Sequence, residues 1–288
     1  DAAAIALAAA LTARIAAALL DADTRRALHH AAALRMHALL VMLPAVRRQL
    51  QKATDDVRAD LEQKLLTGIT RPVTALPADG VPRHELESLL EERRLLDTKH
   101  WVGGRVTGAV YHGEQDHMDF VGRVYGRFAF FNPLHATLHP ATRQMDAEVV
   151  AMVLQLYRGG ASSCGNFTTG GTESILMAMK AYRDWGYARH GITSPNIVVS
   201  KTAHAAFFKA GQYFQISVRT ARTNTQQEVD VRHVRSLIDR NTVAIVGSAP
   251  QYATGTIDPI EELAALAVRR GVGLHVDCCL GGFLLPFM

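Results

Sequence analysis

The chain has 288 residues, of which 48% are hydrophobic and 20% are charged, and both fractions are ordinary for a globular protein. Its net charge of +4 comes without a block of Lys and Arg or an alternation of basic and aromatic residues, which argues against a nucleic-acid partner. The three cysteines, Cys164, Cys278 and Cys279, are odd in number and two are adjacent, which argues against a disulfide framework and favours a reducing compartment. No spacing of Cys and His is typical of zinc, so we expect no metal.

Both ends of the sequence favour the interpretation that the chain is a fragment. It begins with Asp1 rather than Met, and it ends inside the apolar run 281–288 with no polar tail. We therefore expect the structure to be incomplete at the C-terminus, and any targeting signal upstream of residue 1 would be invisible.

Residues 1–100 are predicted to form a helical N-terminal region. Residues 2–20 are rich in Ala and interrupted by one arginine, which leaves three interpretations open: a helix that packs on itself or a partner, a partial membrane anchor, and a targeting remnant. Apolar residues at three- and four-residue spacing predict amphipathic helices over 43–65 and 84–97. The segment 70–82 holds three prolines and predicts a linker between them.

Residues 101–145 have no clear period, although their aromatic and histidine content is unlike that of a solvated loop. From 146 to 288 helical and strand patterns alternate, which predicts an α/β fold, a mostly parallel sheet covered by helices. The predicted helices are 146–158, 172–190, 203–214, 231–239 and 258–271, and the predicted strands are 196–200, 215–221, 242–248 and 273–279. Pro259 is expected at the first position of the last helix and Gly271 at its C-cap.

Two features of this half indicate a ligand site at the carboxyl ends of the strands, where α/β sheets bind ligands. Asp277 lies near the end of an apolar run, 272–279, that otherwise indicates a buried strand, and a carboxylate there is costly unless a cation meets it. The turn TTGGTES (168–174) opens a helix, and backbone N–H groups at a helix start bind phosphate. The alternatives are a plain helix N-cap for the turn, and a capping or arginine-paired carboxylate for Asp277.

His204 follows the strand 196–200, and an aromatic ring there is placed to stack on a flat cofactor, although a lone histidine is more often structural. A phosphate turn, a stacking ring and a carboxylate for a protonated ring nitrogen, in that order along one sheet, predict pyridoxal phosphate.

The sequence then resembles a known family. The strings TTGGTESILMAMKAYRDW, SKTAHAAFFKAGQYF and LHVDCCLGGFLLPF, with NPLH and GRVTGAVYHGE upstream, are similar to sphingosine-1-phosphate lyases, members of the pyridoxal-phosphate group II decarboxylase superfamily. The resemblance covers roughly residues 43–288 and implies the large domain of a fold-type I pyridoxal-phosphate enzyme over 146–288. It also implies that 101–145 line the active site.

The resemblance implies a role for each matching residue. Gly170, Gly171 and Thr172 would hold the cofactor phosphate, His204 would stack on the ring, and Asp277 would pair with the ring nitrogen. Tyr111, Asn132 and His135 match residues that line the substrate site and bind the substrate phosphate or assist proton transfer, and core or interface packing is the alternative for Tyr111 and His135.

The implied activity is cleavage of a phosphorylated sphingoid base to a long-chain aldehyde and phosphoethanolamine. The family also implies a homodimer with shared active sites and attachment to the endoplasmic reticulum membrane, with the catalytic part facing the cytosol. The lysine that would bind the cofactor covalently is expected in a His-Lys pair beyond Met288, so none of the lysines present is assigned that role. An amino-acid decarboxylase and a non-catalytic truncated paralogue are the alternatives.

Overall fold

The computed structural model describes residue 35 and residues 42–65, 68, 73, 75–103 and 112–288. The three interpretations of residues 2–20, and positions 70–72 and 74 of the linker predicted over 70–82, therefore lie outside the described residues; the described linker positions, 73 and 75–82, contain no helix or strand. The chain divides into two units, 1–105 and 106–288, and each is described by itself.

The first unit contains two long helices, α1 (Pro44–Leu65) and α2 (Arg83–Trp101). Pro44 suits the start of α1, since a proline at the first helical position gives up an N–H that has no intrahelical partner. Surface pairs one turn apart, such as Lys64 with Asp60 and Arg83 with Glu87, support both helices. The predicted helices are confirmed, and no helix of the described residues is long and apolar enough to cross a membrane.

The second unit begins with two further helices, α3 (Gln115–Phe128) and α4 (Pro140–Leu156). No helix was predicted within 101–145, where the sequence has no clear period, and α3 was therefore missed. Two glycines, Gly122 and Gly126, lower the helix propensity of α3, and no residue of this helix is buried. Helix α4 starts at Pro140, six residues before the predicted start, because proline is favoured in the first turn.

The remaining elements alternate as predicted. They are α5 (Gly171–His190), β1 (Asn196–Ser200), α6 (Ala206–Phe214), β2 (Ser217–Ala221), α7 (Val231–Leu237), β3 (Thr242–Ser248), α8 (Ile260–Arg270), β4 (Gly273–Asp277) and a 3₁₀ turn (Leu285–Phe287). The strands form one parallel sheet in the order β2-β1-β3-β4, so the predicted α/β fold is confirmed. Pro259 caps α8 rather than opening it, and Gly271 takes the left-handed C-cap with φ 64°.

The sheet is covered on both faces because successive side chains of a strand point to opposite sides. On one face, Ile197 and Val199 of β1 pack with Phe207 of α6 in a cluster that also includes residues of α5. On the other face, Val198 of β1 packs with Leu263 of α8. Strands β1 and β3 are buried throughout, whereas β4 is only half-buried because it lies at the sheet edge. All four strands end at the same edge, where His204 and Asp277 lie.

Candidate functional site

The phosphate turn is held in a conformation that only glycine adopts readily. Gly170 has φ 153° and ψ 174° and caps α5 without a side-chain hydrogen bond. A Cβ at Gly170 would have no heavy atom within 4 Å, so the space beside the turn is open. Within the described residues, no hydrogen bond engages the N–H groups of Gly171, Thr172 and Glu173. The turn therefore presents three free donors at a helix N-terminus, which fits a phosphate.

Two side-chain pairs fasten this turn to the first turn of α5. Glu173 accepts hydrogen bonds from the Thr169 N–H at 2.5 Å and the Thr169 hydroxyl at 2.7 Å. The hydroxyls of Thr168 and Ser174 lie 2.6 Å apart. The hydrogen bonds from Thr169 hold the pKa of the Glu173 carboxyl below its ordinary value.

Asp277 lies beside the phosphate turn. It is the last residue of β4, and its Oδ1 accepts the N–H of Cys279 at 3.1 Å. A Cβ at Gly171 would lie 3.2 Å from the Cys279 Sγ, so the turn touches the residue that binds the carboxylate. No ion pair of the described residues includes Asp277, which disfavours the arginine-paired alternative. The structure thus brings the predicted phosphate and ring-nitrogen groups to one edge of the sheet.

His204 lies four residues beyond the end of β1, at the same edge. Its Nδ1 accepts the N–H of Ala206 at 3.1 Å, which leaves the proton of the neutral ring on Nε2. The ring packs edge-to-face against Tyr252, with centroids 5.7 Å apart and the planes at 67°. Tyr252 belongs to the loop after β3, so two strand ends fix the orientation of the histidine.

Asp258 organises the loop that carries Tyr252, and the sequence analysis did not identify it. The carboxylate is buried, with one oxygen accepting the Ser248 N–H at 2.8 Å and the other accepting the Val229 N–H at 2.8 Å. The Gln251 amide donates to the same oxygen as Val229, at 3.1 Å. The local sequence TIDPI (256–260) indicates only the start of a helix. The three groups that donate to Asp258 lie elsewhere in the chain and meet the carboxylate only after folding.

The segment after Asp277 is held from a distant helix by Tyr157, which sequence reasoning also missed. The Tyr157 hydroxyl at the end of α4 donates to the Gly282 carbonyl at 2.6 Å. Burial raises the pKa of Tyr157, and the nearby Cys278 thiol adds to that effect. Burial and then the Asp277 charge raise the pKa of the Cys278 thiol, so it stays protonated.

His275 stands within β4, two residues before Asp277. Its ring contacts Phe207 at 5.6 Å and Tyr182 at 6.4 Å between centroids. Burial lowers the pKa of His275, although the negative charge of Asp277 opposes the shift. The lowered pKa keeps the imidazole neutral at pH 7, and the ring packs against Phe207 although the residue as a whole is only half-buried.

The residues predicted to line the substrate site are not joined to this edge by any described contact. Tyr111 lies outside the described residues. Asn132 and His135 form a turn between α3 and α4, in which the His135 N–H donates to the Asn132 carbonyl at 3.1 Å. The Asn132 side chain accepts the Leu134 N–H at 3.1 Å. Both residues are exposed, and their substrate roles remain predictions.

Comparison with known proteins decides the family. The family model described as aminotransferase class-V matches residues 138–281, which is half of the chain. The chain belongs to the aminotransferase class-V family. This assignment confirms the fold-type I prediction and pyridoxal phosphate as the predicted cofactor.

Similar proteins carry the name expected from the motifs. The sphingosine-1-phosphate lyase of Drosophila melanogaster is 46% identical over 250 residues, which are 85% of this chain and 46% of that protein. The solved structure of a Burkholderia pseudomallei sphingosine-1-phosphate lyase matches with a TM-score of 0.72 and 38% identity, over 77% of this chain and 53% of that one. A Lactobacillus brevis glutamate decarboxylase matches with a TM-score of 0.63 over 76% of this chain and 52% of that one, but its 24% identity shows only the fold.

The predicted resemblance to sphingosine-1-phosphate lyases is therefore confirmed. The chain spans about half the length of the curated relatives that it matches, since it covers 46% of the fruit-fly protein and 45% of the rat one.

Proposed function

We propose that this protein is a pyridoxal-phosphate-dependent carbon–carbon lyase. It cleaves a phosphorylated sphingoid base, such as sphingosine 1-phosphate, to a long-chain aldehyde and phosphoethanolamine. The observation that supports the proposal is the close approach of Gly171 to Cys279, since a Cβ at Gly171 would lie 3.2 Å from the Sγ of the residue whose N–H donates to Asp277. The similarity to named lyases at 46% and 38% identity selects this chemistry among the reactions of the fold.

The chain's own residues would hold the cofactor at two ends. The free N–H groups of Gly171 and Thr172, with the Thr172 hydroxyl and the open backbone of Gly170, bind the phosphate. Asp277 accepts a hydrogen bond from the protonated ring nitrogen and keeps the proton there. His204, held by Ala206 and Tyr252, faces the ring. When bound, pyridoxal phosphate supplies the electron sink for the pair released as a substrate carbon–carbon bond breaks.

The substrate side of the site rests on the family resemblance. Asn132 and His135 lie in an exposed turn with acceptor and donor atoms free for a ligand, which suits binding of the substrate phosphate or transfer of a proton. Tyr111 is assigned with them. In the same proposal, the protein is a homodimer with shared active sites that is attached to the endoplasmic reticulum membrane, with its catalytic part on the cytosolic side.

Product analysis of the full-length protein tests the proposal. We expect incubation with pyridoxal phosphate and sphingosine 1-phosphate to release equal amounts of a long-chain aldehyde and phosphoethanolamine, measured by mass spectrometry. Release of carbon dioxide from an amino acid instead would identify a decarboxylase. No turnover of either substrate by cofactor-loaded protein would favour the non-catalytic paralogue.

A further inference from the structure

The carboxylate of Glu173 lies beside the turn 168–171, but it can donate no hydrogen bond to an anion bound there. It belongs to the first turn of α5, and both of its described hydrogen bonds run to Thr169. A negative side chain beside a site for a phosphate dianion opposes binding by Coulomb repulsion. Its presence therefore needs a compensating role.

The compensating role is geometric. The Thr169 N–H points to Glu173 and is removed from the donors that face a ligand, while the N–H groups of Gly171 and Thr172 stay free. Gly170, between these two sets, has a backbone conformation that is costly for other residues and that a flexible segment would leave readily. Because Glu173 of α5 fixes Thr169, the neighbouring Gly170 is held in this backbone conformation.

We propose that Glu173 is a positioning residue that locks the turn 168–171 in its phosphate-binding conformation through Thr169. This inference rests on the proposed cofactor role of the turn. Thr168 and Ser174 support the turn as well, because their hydroxyls lie 2.6 Å apart and within 3.2 and 3.3 Å of the Gly170 carbonyl. These hydrogen bonds are all neutral, and charge-assisted hydrogen bonds are roughly twice as strong, so the two hydrogen bonds to Glu173 supply a substantial part of what holds the turn.

Two neutral variants of the full-length protein separate the effect of the hydrogen bonds to Thr169 from the effect of the Glu173 charge on a bound phosphate. Glu173→Gln keeps an oxygen acceptor for Thr169, whereas Glu173→Ala removes it, and both lose the repulsion equally. We expect the Ala variant to bind pyridoxal phosphate roughly tenfold more weakly than the Gln variant, the effect of about one net hydrogen bond to a charged or polar acceptor. Asp184→Ala, about three turns further along α5 in a surface pair with Lys180, is the matched control and is expected to bind like the unchanged protein.

Hydrogen exchange of the cofactor-free protein provides a readout that does not need the loaded enzyme. The Thr169 amide is expected to exchange slowly in the unchanged protein and in Glu173→Gln, and faster in Glu173→Ala. Equal cofactor affinity and equal exchange in the Ala and Gln variants would overturn the positioning role. Failure of the unchanged protein to bind the cofactor would instead overturn the proposed function, and the exchange rates would still decide whether the lock exists.

Discussion

Asp277 provides the carboxyl group that the proposed chemistry requires at the ring nitrogen. Replacing it with Ala in the full-length protein removes the partner of the ring proton, and we expect lyase activity to fall by at least about a thousandfold, or roughly 4 kcal/mol of transition-state stabilisation. Phosphoethanolamine release at saturating cofactor measures this loss. Asp184→Ala, on α5 in a surface pair with Lys180, is the control that should remain active. Near-normal turnover of the Asp277 variant would refute its role.

Gly171 lies at the phosphate end of the proposed cofactor site, and Asp277 lies at the ring-nitrogen end. A Cβ there would lie 3.2 Å from the Cys279 Sγ and would press the turn away from the segment after Asp277. We expect Gly171→Ala to weaken pyridoxal phosphate binding about tenfold, or about 1.4 kcal/mol, in a fluorescence titration.

Gly160 gives a matched control for this substitution. It lies in the loop before the turn, a Cβ there would have no heavy atom within 4 Å, and Gly160→Ala should leave the affinity unchanged. Equal affinities for the two alanine variants would show that the contact with Cys279 does not shape the site.

His275 makes the stability of the fold depend on pH. Its pKa lies below 6.5 in the folded chain because the ring is buried, and it returns to about 6.5 on unfolding. As the pH falls below 6.5, the unfolded chain takes up a proton that the folded chain refuses, so the free energy of unfolding decreases. We expect His275→Leu to remove part of this decrease in urea denaturation between pH 7 and pH 5. The same pH dependence in both proteins would contradict the assignment of a neutral, buried ring.

At the scale of elements, α5 is seated against the sheet at a glycine. A Cβ at Gly186 would lie 2.5 Å from the Val243 Cγ1 on β3, a distance that no side chain tolerates without movement. We expect Gly186→Ala to destabilise the full-length protein by about 1–3 kcal/mol in urea denaturation, as overpacked cores do.

Gly122 on α3 provides the opposite case. A Cβ there meets no heavy atom within 4 Å, so Gly122→Ala should stabilise the protein by up to about 1 kcal/mol through helix propensity. A loss of stability at Gly122, or none at Gly186, would mean that the two helices pack differently from this description.

The elements of 146–288 were predictable because each carries its own local signal. β3, for example, was bounded correctly at 242–248 by its unbroken apolar run, and α8 by the pair Pro259 and Gly271. Helix α3 was missed although Met118, Val121, Tyr125 and Phe128 recur at three- and four-residue spacing, because the glycines at 122 and 126 lower helix propensity within that pattern. Strand β4 was expected to be buried, and its half-buried state follows from sheet order, which no local window contains.

At the scale of the whole molecule, the site is assembled from contacts between segments far apart in sequence. The turn and Asp277 were predicted as site residues because glycines at a helix start and a carboxylate in an apolar strand are unusual, and His204 was predicted from its order between them. Asp258 and Tyr157 were not, because their roles exist only through donors and acceptors brought together by folding, such as the Gly282 carbonyl. The same limit applies to Glu173, whose sequence context suggests only a favourable helix start.

A crystal structure of the full-length protein with pyridoxal phosphate would show whether the turn and Asp277 hold the two ends of the cofactor. We expect the phosphate to accept hydrogen bonds from the N–H groups of Gly171 and Thr172, and the ring nitrogen to lie within hydrogen-bonding distance of the Asp277 carboxyl group. A phosphate bound away from the turn, or a ring nitrogen facing away from Asp277, would contradict this expectation.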